Sequence, residues 1–193
     1  MMKVILFVAL GLILPSLLFA DRPTSPVSYK YEVAGGQYLF VMLAPDQASR
    51  CSGPANKSKD DICIYPASGL YFNDGSLTPI WELNWYGHQQ HVHVSSNGKH
   101  LVLMGAWPKR GHSKEEEMAQ LAVAFYEKGS LKKKYTLGDL ISDPKGLTYS
   151  EGYVQWKNND SFYDFGNQFT IDTVEGKTYT FDATTGSIVK KTP

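Results

Sequence analysis

Gln90-His91-Val92-His93-Val94-Ser95-Ser96-Asn97-Gly98-Lys99-His100-Leu101-Val102-Leu103-Met104-Gly105-Ala106 decides the fold. Two apolar-rich segments, Gln90 to Ser95 and Lys99 to Ala106, flank Ser96-Asn97-Gly98. A tight hairpin needs positive φ at one or two turn positions, and glycine or asparagine adopts it at little cost. Valine and leucine on either side suit a pleated, half-buried surface. The phrase recurs in both directions along the chain. Tyr29 to Val33 and Gln37 to Leu43 flank Gly35-Gly36, and Gly69 to Phe72 and Ile80 to Tyr86 flank Asn73-Asp74-Gly75-Ser76. Ala122 to Tyr126 and Leu131 to Tyr135 flank Glu127 to Ser130, and Gln168 to Val174 and Lys177 to Asp182 flank Glu175-Gly176. A last turn, Thr184 to Ser187, leads into Ile188 to Lys191. Such spacing predicts an all-β antiparallel hairpin meander.

One stretch interrupts the pattern. Ser113 to Leu121 predicts one short helix, with Ser113 and Glu116 at capping-box spacing and acidic residues in the first turn. Leu137 to Ile141 reads as a further helical turn stopped by Pro144.

The amino terminus carries a different signal. Lys3 precedes an apolar run from Val4 to Phe19, followed by Ala20 and then Asp21-Arg22-Pro23. A basic start, an apolar middle and a small residue before a polar stretch form a secretory signal peptide over residues 1–20, cut between Ala20 and Asp21. The run is shorter than the roughly 20 residues that a membrane span needs, and no later segment qualifies. Residues 21–193 then form a single all-β domain, secreted or periplasmic, with no membrane span once the signal is removed. Cys51 and Cys63, the two cysteines, enclose a polar loop of eleven residues, Ser52 to Ile62, with little core of its own, and an exported chain favours a disulfide there. Without Lys3, 18 basic side chains stand against 19 acidic ones. That balance leaves no electrostatic footprint for nucleic acid.

All five histidines, His88, His91, His93, His100 and His112, fall within the one region from residue 88 to residue 112. On a strand His91 and His93 share a face, close enough to hold a divalent metal such as zinc or copper. His88 approaches from the Gly87 turn. His100 depends on register. A two-residue Asn97-Gly98 loop sets His93 opposite Val102 and puts His100 on the histidine face. A three-residue loop sets His93 opposite Leu101 and removes it. The longer loop, common in propeller-like hairpins, is the expected one. Against a metal stands the alternation of His91 and His93 with Val92 and Val94, which fits a strand with one solvated face. Trp81 and Trp85, four apart, share a face of an ideal strand, where they anchor the core or, if exposed, meet a sugar ring or a peptide. Trp107 and Trp156 also read as core anchors.

Val94-Ser95-Ser96-Asn97-Gly98-Lys99-His100-Leu101-Val102 resembles the inner hairpins of β-propeller blades. Those run from a β-branched residue through serine, Asp or Asn, Gly and a basic residue into apolar positions. Phe125 to Tyr135 is similar to a neighbouring strand pair, and Tyr179 to Val189, with Phe181-Asp182 and Thr185-Gly186, looks like the closing phrase of such repeats. The phrasing is also similar to that of uncharacterised exported bacterial proteins. The resemblance implies a partial propeller-like or sandwich arrangement, because a closed propeller needs at least four blades of roughly 40 residues. It implies no activity. Serines such as Ser68, Ser95 and Ser150 lack a nucleophile-elbow setting. The expected function is therefore a non-enzymatic binding or interaction module for a protein, peptide or glycan ligand. The alternative is a zinc- or copper-binding protein that uses the histidine cluster.

Overall fold

The computed structural model describes residues 25–46, 62–105, 108–150, 152–163 and 167–193. The expected signal peptide, Cys51 and Trp107 lie outside the described residues. Four strands open the fold: β1 (Tyr29–Val33), β2 (Tyr38–Met42), β3 (Ser68–Phe72) and β4 (Trp81–Leu83). A second group follows: β5 (Val92–Val94), β6 (His100–Met104), β7 (Leu121–Glu127) and β8 (Ser130–Thr136). After the short ribbon of β9 (Thr148–Tyr149) and β10 (Val154–Gln155) comes a third group: β11 (Lys157–Tyr163), β12 (Gln168–Thr173), β13 (Thr178–Asp182) and β14 (Ser187–Thr192). Each group of four is one antiparallel sheet in which strands pair in sequence order. The antiparallel hairpin meander expected from the turns is the architecture observed.

Alternation along the strands explains how the sheets stack. Successive side chains on β6 point to opposite faces. Leu101 joins Phe40, Leu70 and Trp81 of the first sheet in one core. Val102 and Met104 join Phe169, Ile171 and Phe181 of the third in another. The second sheet is therefore covered on both sides, which is why His100-Leu101-Val102-Leu103-Met104 and Ala122-Val123-Ala124-Phe125 carry almost no polar residue. On the third sheet Phe169 and Ile171 alternate with the half-exposed Thr170 and Asp172, so only one of its faces is apolar. The far face of the first sheet carries Leu39, Val41 and Tyr71, packed against Leu43, Ile62 and Tyr65.

Two short helices are present where one was expected. α1 (Lys114–Met118) begins at Ser113, whose side chain accepts the Glu116 N–H at 3.2 Å. α2 (Leu137–Leu140) is the helical turn anticipated before Pro144. It starts with a capping box in which Asp139 accepts the Thr136 N–H at 2.7 Å.

The register of the β5–β6 hairpin corrects the expectation of a three-residue loop. His93 pairs with Val102 and Val94 with Leu101, the register of the shorter loop. The loop itself holds residues 96–99. The Gly98 N–H returns to the Ser95 carbonyl at 2.9 Å, with Gly98 at φ +66. The Ser95 hydroxyl accepts the His100 N–H at 3.0 Å and donates to Asn97 Oδ1 at 2.7 Å. Side-chain bonds thus close a four-residue loop, and four residues keep the same parity as two.

That parity also sorts the connections. With strands alternating in direction, the short turns β1–β2, β3–β4, β5–β6, β7–β8, β11–β12 and β13–β14 gather at one end of the stack, and the β12–β13 turn lies at the other. There the Trp81 indole donates to the Gly98 carbonyl at 2.9 Å. The long connections, from β2 to β3, β4 to β5, β6 to β7 and β8 to β11, gather at the other end. There the Leu137 N–H reaches the Gln120 carbonyl at 2.9 Å and the Val174 N–H reaches the Trp156 carbonyl at 3.0 Å.

Candidate functional site

At the loop-rich end, the chain after β6 and the chain after β8 meet. Tyr153 bridges to Lys109, the Val154 N–H reaches the Pro108 carbonyl at 2.8 Å, and the Arg110 N–H reaches the Gly152 carbonyl at 3.0 Å. With the β9–β10 pairing this makes a small antiparallel patch beside the main sheets. Beneath it lies a cavity of about 380 Å³, within the size range of small-molecule sites. Tyr149, Tyr153, Trp156, Val154 and Pro108 supply apolar wall. His91, Thr148, Ser150, Gln155 and Lys157 supply polar groups. A second cavity of about 340 Å³, bordered by Tyr86, His88, Leu103 and Leu121, shares Gly105 and Pro108 with the first.

The histidines divide among several places. His91 is not on a strand. It ends a 3-10 turn over Gln89–His91, whose closing bond runs from the His91 N–H to the His88 carbonyl at 2.8 Å, and β5 begins one residue later. The alternation argument that put His91 and His93 on one strand face therefore fails at its first residue. His91 faces the larger cavity. Burial first, and the Lys157 charge second, lower it to about 4. His93 points into the seam between the second and third sheets. Its ring lies 5.2 Å from that of Phe169, and its Nε2 lies 3.0 Å from Asp160 Oδ2. This is a close contact between a ring nitrogen and a carboxylate oxygen rather than a well-aligned hydrogen bond. Lys157 binds the other oxygen of the same carboxylate. Burial alone would raise Asp160, but His93 and Lys157 prevail and hold it at about 2.

His88 borders the smaller cavity, and its Nδ1 lies 3.5 Å from the Tyr86 hydroxyl. His100 shares the His93 face, as the shorter-loop register requires, but sits at the short-turn end. Burial lowers its pKa, and the charges acting on it are Glu127, Asp182, Lys99 and Lys132, not the other histidines. His112 is exposed beside α1. Among the described residues no group of three or more His, Cys, Asp or Glu gathers as a metal site would require.

Trp81 and Trp85 both pack in the core between the first and second sheets, although β4 ends before Trp85. Trp85 meets Tyr126 at 5.0 Å between ring centroids. Trp156 is buried and forms part of the cavity wall. Beside the cavity, Tyr149 donates to Glu117 Oε2 at 3.1 Å, and Lys114 contacts both. Burial would raise Glu117, but Lys114 and Tyr149 bring it below the usual carboxylate range. Asp160, Lys157, Gln155 and the tyrosines of the cavity were not singled out from sequence. They fall between Tyr149 and Asp160, where the one pattern noted, the glycosylation acceptor Asn159-Asp160-Ser161, says nothing of a cavity, and only the approach of two distant connections makes them neighbours. No protein-family model and no curated protein matches the chain.

Proposed function

We propose that the chain is an exported binding module whose ligand occupies the larger cavity at the loop-rich end of the sheet stack. One observation carries this reading. The connections β4–β5, β6–β7 and β8–β11 converge on one concave space that combines aromatic walls with separate hydrogen-bonding groups. Ligand sites have this composition, and loops held by a rigid scaffold are where they occur. Binding without chemistry suits the lining. The Ser150 hydroxyl accepts the Tyr153 N–H at 3.2 Å and so helps to close the turn. Near-neutral charge argues against a nucleic acid ligand. No helix among the described residues is long and apolar enough to cross a membrane.

Ligand-observed magnetic resonance with a fragment library, run on the protein and on Gln155→Trp, tests the site. Gln155 is an exposed position of β10, and the indole fills the cavity. Hits that vanish in the variant support the site; a hit list unchanged by the variant counts against it. Export rests on the amino-terminal pattern and on the expected Cys51–Cys63 bridge. Protein recovered from an expressing cell should begin at Asp21, and its mass after alkylation should change only when it is first reduced.

A zinc or copper ion on His91 and His93 is the second reading. Its support is that His88, His93 and Asp160 all lie near enough to His91 to act on its charge. Bound metal assayed in the purified protein and in His91→Ala and His93→Ala decides it. Metal well below one equivalent, unchanged by both substitutions, ends that reading.

A further inference from the structure

We infer that the ligand of the larger cavity is an uncharged carbohydrate, a sugar unit of a neutral oligosaccharide, and this rests on the cavity being the binding site. The argument begins with charge. Among the described residues Lys157 is the one lysine, arginine, aspartate or glutamate on the lining, and Asp160 already pairs with it. Arg110 and Lys114 approach the Tyr149 ring, at 5.5 Å and 4.7 Å from its centroid, but neither borders the cavity. A charged ligand would therefore lose its hydration without meeting a free counter-charge, a loss that outweighs what neutral contacts return.

The remaining chemistry narrows the class. Gln155 and Thr148 are exposed side chains on paired strands of the ribbon, so a donor–acceptor amide and a hydroxyl face the cavity from a backbone fixed by pairing. Tyr149, Tyr153 and Trp156 border the same space. A sugar ring presents this alternation: hydroxyls around its edge and polarised C–H groups on its faces, which meet the negative face of an aromatic ring. A purely apolar ligand would leave the amide and hydroxyl without partners, which costs affinity.

Calorimetric titration of residues 21–193 with cello-, xylo-, manno- and chito-oligosaccharides, beside oligogalacturonate and an unstructured peptide, tests the class. The expected result is binding of at least one neutral oligosaccharide that weakens about tenfold in Gln155→Ala and is lost in Gln155→Trp, with both variants melting as cooperatively as the parent. Oligogalacturonate should bind no tighter than its neutral counterparts. If the anionic sugar or the peptide binds in a Gln155-dependent way while every neutral oligosaccharide fails, the carbohydrate class is overturned and the cavity stands. If no probe binds in a Gln155-dependent way and the fragment hits are also indifferent to Gln155→Trp, the site falls with the class.

Discussion

Asp160 touches two basic side chains with one carboxylate, His93 from the second sheet and Lys157 from the start of its own strand. Only 12% of its side chain is exposed, so solvent replaces little of what the pair supplies. Removing one member of such a set leaves the others paired with nothing, and that penalty exceeds the net worth of the intact contact. Asp160→Asn, which keeps the shape and removes the charge, should lower stability by roughly 1–3 kcal/mol in urea unfolding. A change within measurement error would mean that the carboxylate contributes nothing to holding the sheets together. His91 adds a pH dependence whose sign follows from its lowered value. Between about 4 in the fold and 6.5 in the open chain, the unfolded chain binds a proton that the folded chain refuses. Stability is then full above the upper value and declines as pH falls towards the lower one. His100, also lowered by burial, acts in the same direction. Asp160, at about 2 against 3.8, contributes above 3.8 and its share is lost as pH falls through about 2. Urea midpoints followed from about pH 7 to about pH 4 should fall in the parent and fall less steeply in His91→Gln. Equal slopes would assign the titration to another group.

At the level of elements, the turns decide where sheets can approach. Gly129, in the β7–β8 turn at φ +80, presses against β4; a Cβ there would lie 2.2 Å from the Glu82 carbonyl oxygen. Both its conformation and its contact demand glycine. Gly129→Ala should cost at least about 2 kcal/mol, whereas Gly146→Ala, with open space around it and no positive φ, should change stability by no more than about 0.5 kcal/mol. Equal effects at the two sites would show that the close approach of the sheets at Gly129 is not a constraint. The same turns made most of the fold legible. Gly35-Gly36, Asn73 to Ser76, Asn97-Gly98, Lys128-Gly129 and Glu175-Gly176 all lie between paired strands, because a positive-φ residue between aromatic or branched segments has few other uses. β11 was not legible. Trp156-Lys157-Asn158-Asn159-Asp160-Ser161 has no branched residue and no alternation, and its strand exists because Asp160 and Phe162 are placed against the third-sheet core by pairing with Ile171 and Phe169. The site was half legible. The histidine cluster marked the right region, but the strand face that was to join His91 to His93 begins one residue too late. Local turn chemistry at His88 to His91 overrides the alternation there.

The whole molecule depends on the second sheet having no solvent face. Leu101 packs with Phe40 and Trp81, while its neighbour Val102 packs with Phe169 and Phe181, so adjacent residues of one strand belong to two cores. If the first sheet separates, Leu101 and Val92 lose their cover; if the third separates, Val102, Met104 and Phe125 lose theirs. In either case the second sheet is left with an apolar face in water, which at roughly 25 cal/mol per Å² costs more than one sheet alone is expected to withstand. The three sheets should therefore unfold together. Phe40→Ala in one core and Phe169→Ala in the other, each fully buried, should each remove about 3–5 kcal/mol. Both should shift a single calorimetric transition whose calorimetric and van't Hoff enthalpies agree. Two transitions, one moved by Phe40→Ala and the other by Phe169→Ala, would mean that the second sheet tolerates an exposed face. The loop-rich cavity, built from the second sheet's entry and the third sheet's lead-in, would then open with the weaker half. With one transition, the cavity is as rigid as the stack beneath it, and a ligand bound there raises the midpoint of the entire chain in proportion to the logarithm of its concentration.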